Sequence, residues 1–229
     1  MNRSILLLIT SLGLVTALPW EIAVAIPQDK SEPTDLKDPD LAEQLRRRVA
    51  SDQESRKAVL DFVAAHKLPL DRIEPDKLEA KVAEEFKKIS DDSTRIDAEN
   101  MVWLKDVISK KGWPGKSLVG GQGAKDAWIL IQHADADREF QQLCLRKMES
   151  LPQGEVDPRD VAYLTDRVLV GTGKKQKYGT QAIYRDRKFV PNPIENEAEV
   201  DQRRKAVGLE PLDEYLKFME QIYLQPGSR

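Results

Sequence analysis

The segment that decides the fold spans residues 127–140 and consists of AWILIQHADADREF. It begins with a run of apolar residues and continues into one histidine and two aspartates. Because consecutive residues point in different directions around a helix, a helix through the apolar run is apolar on more than one side. We therefore predict a central helix over residues 124–150, and we treat His133 as a candidate functional residue.

Three amphipathic helices are predicted before this segment. The first follows Asp40, a suitable N-cap, and covers residues 41–67 with apolar residues at helical spacing. The second opens near Pro75, since proline is favoured in the first turn of a helix. The third covers residues 96–111 and ends at the GWPG sequence that follows.

The pattern changes towards the C-terminus. A short helix is predicted over residues 158–165, and three β-prone segments follow at 166–170, 176–185 and 188–194. Helix then returns over residues 196–207, ends at Gly208, and resumes from Pro211. The predicted fold class is α+β: a single, mainly helical domain with an antiparallel meander of two or three short strands after residue 166.

The N-terminus has the features of an export signal. Residues 1–25 combine an early arginine, an apolar run and the small-x-small sequence AVA, which predicts a cleaved signal peptide. An uncleaved anchor is the alternative, but the apolar run is short and is interrupted by Pro19 and Glu21. Residues 26–39 are predicted to be a flexible linker and residues 40–225 the folded domain. We expect a periplasmic or extracellular protein without membrane attachment after cleavage.

Composition narrows the classes of partner. The chain has 36 basic and 39 acidic residues, a formal charge of −3, so a nucleic acid partner is not predicted. Cys144 is the single cysteine, which excludes an intramolecular disulfide. Its apolar surroundings in the predicted helix favour the role of a small buried hydrophobic residue.

Several predicted helices carry polar residues on their apolar faces. In the first helix, Asp52 and Arg56 lie on the apolar stripe and are four residues apart, so they can pair. Asp97 and Asn100 lie on the stripe of the third helix. Arg204 flanks a stripe near the C-terminus. Such groups either form internal ion pairs or line a polar cleft, because burying an unpaired charge is costly.

The central helix places its own polar residues unequally. Helical spacing aligns His133 with the apolar face, and Asp137, four residues later, lies on the same side. Asp135 is predicted to point in nearly the opposite direction, towards solvent.

A further polar segment, QKYGTQ, covers residues 176–181 in the predicted meander. On a strand, Gln176, Tyr178 and Thr180 share one face, and Gln181 lies on the other. The glycine within it is typical of a bulge or of close approach by a ligand or another backbone. An exposed hairpin arm is the alternative interpretation.

Six short motifs in a fixed order resemble those of a known family. They are DQESR (52–56), GWP (112–114), QHAD (132–135), YLTDRV (163–168), QKYGTQ (176–181) and RRKAVGL (203–209). Together they resemble an uncharacterised bacterial family, a domain of unknown function with QHAD, DRV and YGTQ signatures. The resemblance covers roughly residues 41–220. It implies that the motif residues act together, and it brings no established activity.

Three functional hypotheses follow. The first is an exported hydrolase or lyase acting on a small or peptide-like substrate, in which a histidine provides general acid–base catalysis. The second is a secreted, non-catalytic module that binds a sugar, a peptide or a small anion. The third is a structural or partner-binding protein whose inward polar groups only fix helix register. No serine elbow, catalytic cysteine signature or HExxH motif is present in the sequence.

The candidate residues are assigned roles under the first hypothesis. The catalytic candidates are His133, Asp137 and Asp166, with Arg56 or Arg167 expected to hold a substrate carboxylate. No cofactor is predicted, although His133 and Asp137 with other carboxylates offer the alternative of a hard divalent cation. The substrate-binding candidates are Asp52, Gln53, Arg56, Asp97, Asn100, Arg167, Gln176, Tyr178, Gln181 and Arg204.

Overall fold

A computed structural model describes residues 36–68, 73–185 and 188–224. The described residues are mostly helical and include one small antiparallel sheet, so the α+β prediction is confirmed. The predicted signal peptide (1–25) and the predicted linker up to residue 35 lie outside the described residues. No helix in the described ranges is both long enough and apolar enough to cross a membrane.

The described chain contains seven α-helices and two β-strands. The helices are α1 (Pro39–Ala65), α2 (Ala80–Lys111), α3 (Lys116–Gln132), α4 (Arg138–Glu149), α5 (Pro158–Gly171), α6 (Val200–Ala206) and α7 (Leu212–Leu224). Strands β1 (Ala182–Arg185) and β2 (Lys188–Pro191) pair antiparallel, with Ala182 opposite Pro191 and Arg185 opposite Lys188. Short 3₁₀ turns cover Pro75–Lys77 and Glu197–Glu199.

Helix α1 begins two residues earlier than predicted. The Asp38 side chain, and not that of Asp40, accepts a hydrogen bond from the Leu41 backbone N–H at 3.1 Å. Pro39 occupies the first turn, where its missing N–H costs nothing.

Helix α2 replaces two predicted helices. The polar segment between them continues as helix, and two of its three hydroxyl side chains find partners within or beside the helix. Thr94 donates to the Ser90 carbonyl at 2.9 Å, and Ser93 is fully buried facing Ser55 of α1. The helix ends at Gly112, whose φ of 75° is a conformation that glycine adopts without strain.

The predicted central helix is divided into α3 and α4, so the prediction of one helix over residues 124–150 was wrong. The break lies at residues 133–137, where the Asp137 side chain accepts from the Phe140 backbone N–H at 2.9 Å and caps α4. An aspartate three residues before a backbone N–H competes with the continuing helix by this bond. The break also ends the helical spacing that related His133 to Asp137.

The predicted strand at residues 166–170 was also wrong. Helix α5 continues through this segment to Gly171, and its first turn is capped by the Asp157 side chain. Residues 176–181 lie before β1 and form no regular strand, apart from an isolated bridge between Gln176 and Ile194. The observed meander therefore contains the two strands β1 and β2.

Helix α3 lies at the centre of the packing. It contacts α1, α2, α4 and α5, and every residue from 127 to 132 is buried. The prediction of a central helix around the AWILI segment is confirmed for α3. A smaller apolar cluster joins the far ends of α1 and α2 through Phe62 and Phe86. A polar layer lies between α1, α2 and the C-terminal end of α3.

Candidate functional site

Three helices contribute to one buried polar cluster. Helix α1 supplies Asp52 and Arg56, α2 supplies Asp97, and His133 follows the last residue of α3 as its C-cap. The two long helices run antiparallel, as the contacts Arg48–Asn100 and Ser55–Ser93 show. This arrangement aligns the two inward stripes of polar residues that the sequence predicts.

His133 and Asp52 form the closest contact of the cluster. The His133 Nδ1 atom lies 2.9 Å from both carboxylate oxygens of Asp52. The Asp52 side chain is fully buried, and only 7% of the His133 side chain is exposed. Within the described residues, the other ring nitrogen, Nε2, makes no hydrogen bond.

Arg56 connects the cluster across α1 and α2. Its Nη2 donates to Asp97 at 2.6 Å and lies 3.3 Å from Asp52, while its Nε lies 3.0 Å from His133 Nδ1. The i,i+4 pair of Asp52 and Arg56 is the one that the sequence predicts. The Arg56 guanidinium therefore pairs with two carboxylates, those of Asp52 and Asp97.

The position of the ring proton follows from these contacts. An Nδ1–H that donates to Asp52 cannot also accept a hydrogen from Arg56, so the two bonds exclude each other. A charged carboxylate is the stronger acceptor, which favours the tautomer with hydrogen on Nδ1. In the neutral ring, that tautomer places the free lone pair on Nε2, which is the atom a general base uses.

The two carboxyl groups are shifted in opposite directions. Burial alone raises the pKa of Asp52, but the charges of His133 and Arg56 outweigh burial and lower its pKa overall. For Asp97, desolvation dominates over the attraction of Arg56, and the pKa is raised. As the pH falls, Asp97 therefore takes up a proton before Asp52 does.

A second layer of polar residues lies one helical turn away. Asn100 is buried, and its Oδ1 accepts from Arg48 Nη1 at 3.0 Å. Gln53 donates to the Asp52 carboxylate at 2.8 Å. Asn100 and Gln53, both substrate-binding candidates from the sequence, therefore border the cluster of Asp52 and His133. Arg48 lies four residues before Asp52, so helical spacing offered a signal for it, but it was not among the predicted candidates.

The aspartates next to His133 behave in the opposite way to the prediction. Asp137 is partly exposed and pairs with Lys105 at 2.6 Å while capping α4. Asp135, predicted to be solvated, is largely buried between Arg167 and Arg138. Burial raises the pKa of Asp135, but these two arginines lower it overall. The helix break rotates both side chains away from the positions that a continuous helix would give.

The catalytic candidate Asp166 stabilises a backbone loop. Its carboxylate accepts from the backbone N–H groups of Lys177, Tyr178 and Thr180 at 2.7–3.1 Å, and from the Thr180 hydroxyl. All its partners in the described part of the chain lie in residues 177–180. Arg167, expected to hold a substrate carboxylate, donates instead to Asp135 at 2.7 Å and to Gln132 at 2.9 Å.

The remaining candidates also hydrogen-bond the backbone near the sheet. Gln176 donates to the carbonyls of Gln181 and Asn192, and its own carbonyl oxygen accepts from the Gln181 N–H. Arg204 is fully buried and donates to the carbonyls of Tyr178 and Glu210. One group of hydrogen-bonded residues therefore stabilises the segment before β1, and it includes Asp166, Gln176, Tyr178, Gln181 and Arg204. Among the described residues, this group makes no hydrogen bond to His133.

The cluster also offers a set of metal ligands. One ligand atom each from Asp52, Asp97 and His133 lies within 4.8 Å of the others. Carboxylate and imidazole groups suit several divalent cations. The positive guanidinium of Arg56, however, already lies against all three groups. A cation could bind there only by displacing it, so Arg56 and a metal are alternatives at this position.

Most of the chain matches a protein family. Residues 72–225 match a family of unknown function, DUF6624, and this region is more than half of the chain. The chain belongs to DUF6624. The resemblance to a family of unknown function is thereby confirmed. No curated protein and no solved structure matches the chain.

The DUF6624 region contains only part of the cluster. Asp97 and His133 lie inside the matched residues, whereas Asp52 and Arg56 belong to α1, which precedes them. The resemblance inferred from the motifs extends further, to residue 41. The buried cluster thus combines two residues of the DUF6624 region with two from the helix that packs on it.

Proposed function

We propose that this protein is an exported hydrolase or lyase that acts on a small or peptide-like substrate through general acid–base catalysis at His133. The observation that supports the proposal is the contact between the fully buried Asp52 and His133 Nδ1. A buried carboxylate that fixes one ring nitrogen leaves the other in position to exchange a proton.

Each residue of the cluster has a role in this proposal. His133 Nε2 removes a proton from water in a hydrolase, or from substrate carbon in a lyase, and then returns it to the leaving group. Asp52 holds the ring orientation and stabilises the imidazolium that forms. Arg56 fixes Asp52 and Asp97 relative to each other. Asp97, whose pKa is raised by burial, is the second group that can carry a proton.

The setting and partners belong to the same proposal. Residues 1–25 carry the sequence features of a cleaved export signal, which favours a periplasmic or extracellular enzyme. The near balance of basic and acidic residues favours a small-molecule or peptide ligand over nucleic acid.

A non-catalytic binding module is the second candidate function. The observation that favours it is the set of amide and guanidinium groups beside the cluster, supplied by Gln53, Asn100 and Arg48. Such groups can bind a ligand by hydrogen bonds without turning it over. A purely structural cluster would instead bind nothing and would affect only stability.

The test compares the two histidines of the chain. His133→Gln and His66→Gln remove the same group, but His66 lies at the end of α1, where its ring packs against Phe62 at 4.4 Å. Both variants and the wild type are assayed with chromogenic esters, amides and acetylated dipeptides. We expect His133→Gln to lower kcat about 100-fold or more, and His66→Gln to retain wild-type turnover.

Chemical modification gives a readout that needs no substrate. Diethyl pyrocarbonate acylates an accessible imidazole nitrogen, and peptide mass mapping reports each histidine separately. We expect His133 to react in the wild type and to react at a different rate in Asp52→Asn at the same pH. Equal turnover of His133→Gln and wild type on every hydrolysed substrate would overturn the enzyme proposal. Ligand binding without turnover would favour the binding module.

A further inference from the structure

Arg48 is a half-buried arginine without a carboxylate partner among the described residues. Its Nη1 donates to Asn100 Oδ1 at 3.0 Å, and its guanidinium carbon lies 4.4 Å from the centre of the Trp103 ring. Burial lowers its pKa, opposed by the more distant charge of Glu99. An amide and an aromatic ring therefore hold the guanidinium in place, and no carboxylate of the described residues pairs with its charge.

Asn100 provides an independent observation at the same place. Its side chain is buried, with 5% of the residue exposed, and its Nδ2 has no hydrogen-bond partner in the described part of the chain. A buried amide N–H without an acceptor costs about 1–3 kcal/mol. Because Oδ1 of the same amide accepts from Arg48, the unpartnered Nδ2 lies beside the guanidinium.

Both groups are donors, and both lie close to the Asp52 and His133 cluster. Arg48 precedes Asp52 by four residues on α1, and Asn100 follows Asp97 by three residues on α2. At 1.5 Å per residue, the two layers are about 4.5–6 Å apart along the helices. A ligand whose acceptor group is bound by Arg48 and Asn100 would therefore need this length to reach His133.

We propose that Arg48 and Asn100 form a binding subsite for the carboxylate of the substrate. This inference rests on the proposed function and assigns a substrate class to the same site. A separation of about 6 Å corresponds to about two residues of extended chain. The substrate is therefore a molecule of dipeptide size with a free carboxylate at one end and the reacting bond near His133.

The donors favour a carboxylate over a phosphate. The planar guanidinium and the planar amide present N–H groups to two oxygens of a planar acceptor. The neighbouring layer already contains two carboxyl groups, those of Asp52 and Asp97, with Arg56 as the compensating charge. A doubly charged phosphate would meet more repulsion from these groups than a singly charged carboxylate does.

The test is a calorimetric titration of the purified mature protein with matched probes. The probes are N-acetyl-alanyl-alanine, its C-terminal amide and inorganic phosphate. We expect the free acid to bind, and the uncharged amide to bind about tenfold or more weakly. Arg48→Gln should weaken acid binding about 10- to 100-fold, the range for losing a charged hydrogen bond. Arg47→Gln, the adjacent exposed arginine that pairs with Glu43, is the matched control and should bind as wild type.

A second variant separates binding from folding. Asn100→Asp has nearly the same shape, removes the unpartnered N–H and supplies Arg48 with an internal carboxylate. We expect it to remain folded by circular dichroism and to lose acid binding to the same extent as Arg48→Gln. His133→Gln should still bind the free acid, so the subsite can stand even if His133 is not catalytic. Equal binding of acid and amide, tighter binding of phosphate, wild-type affinity in Arg48→Gln, or no binding of any probe would overturn the subsite without deciding the role of His133.

Discussion

His133 Nδ1 lies at the same distance, 2.9 Å, from both carboxylate oxygens of Asp52, a residue 81 positions earlier in the chain. The contact ties the end of α3 to the middle of α1, in a region where Asp52 is fully buried. Asp52 has two cationic or ionisable neighbours, Arg56 and His133, and its negative charge stabilises the positive charge on each of them. The stability of this region and the chemistry of His133 are therefore expected to depend on the same carboxylate.

The first prediction concerns the loss of that charge in Asp52→Asn. The substitution keeps the shape but leaves Arg56 with one carboxylate instead of two, and replaces the charged acceptor of the His133 N–H with a weaker amide oxygen. Breaking a buried ion pair from one side costs about 3–5 kcal/mol. We expect a loss of this size in the free energy of unfolding, measured by urea denaturation at neutral pH.

Asp91→Asn is the control for this measurement. Asp91 pairs with Lys87 at the same i,i+4 spacing, but both side chains are well exposed, and exposed pairs contribute about 0–1 kcal/mol. Because the pKa of Asp52 is lowered in the fold, its contribution is present above the unfolded pKa and is lost as the pH falls below it. Equal stability losses in the two variants would contradict a special role for Asp52.

A second prediction assigns Asp166 to the fold. Its two oxygens accept from three backbone N–H groups, those of Lys177, Tyr178 and Thr180. Asn at this position offers one oxygen, so at least one buried N–H loses its acceptor, at a cost of about 1–3 kcal/mol each. We expect Asp166→Asn to lower the free energy of unfolding by about 2–4 kcal/mol and to leave probe binding at Arg48 unchanged.

Asp213→Asn, an exposed change on α7, is the comparison for Asp166→Asn. It should shift the urea midpoint little, since exposed substitutions are usually within about 0.5 kcal/mol. Loss of turnover in a fully folded Asp166→Asn would contradict the structural assignment and return Asp166 to the catalytic candidates.

The sequence predicted those contacts that depend on one uninterrupted helix. Asp52 and Arg56 share a face of α1, and Asp97 lies on the inward face of α2, so helical spacing brought these residues together correctly. The central position of α3 also followed from its run of apolar residues. Spacing could not reveal that α1 and α2 pair antiparallel in the register that joins Arg56 to Asp97.

The wrong predictions of helix 124–150 and of the strand after Asp166 have a local cause. Spacing was extended across residues 133–137, but the Asp137 side chain ends that regularity by capping α4. The partner of His133 was therefore expected on its own helix and is instead found on α1. Similarly, the β-branched residues after Asp166 indicated a strand, whereas packing against α3 and α4 keeps them in α5.

A third prediction concerns the pH dependence of stability through Asp160, a buried residue of α5. Burial raises its pKa to about 6, more than the ion pair with Lys125 at 2.5 Å lowers it. Between the unfolded pKa and 6, the unfolded chain has released a proton that the folded protein retains. Stability therefore falls as the pH rises through this window, by about 3 kcal/mol at most, and is level above it.

Asp160→Asn removes the titrating group and should flatten that part of the curve. Unfolding free energies of wild type and variant, measured by urea at several pH values from 4 to 7, give the comparison. Since Asn avoids the desolvation of a charge but leaves Lys125 without its carboxylate partner, the decisive result is the slope of the curve and not its height at pH 7. Parallel curves over the whole range would show that another group causes the decline.

The last prediction concerns Arg56 and divalent cations. The guanidinium lies against Asp52, Asp97 and His133, whose ligand atoms are within 4.8 Å of one another. Arg56→Met keeps an unbranched apolar chain but removes the charge that competes with a cation. We expect Mn²⁺ to raise the Tm of Arg56→Met and to leave that of the wild type unchanged. Arg95→Met, an exposed change on α2, controls for surface binding of the ion. A Tm increase in wild type that disappears in Asp97→Asn would show instead that the metal binds while Arg56 is present.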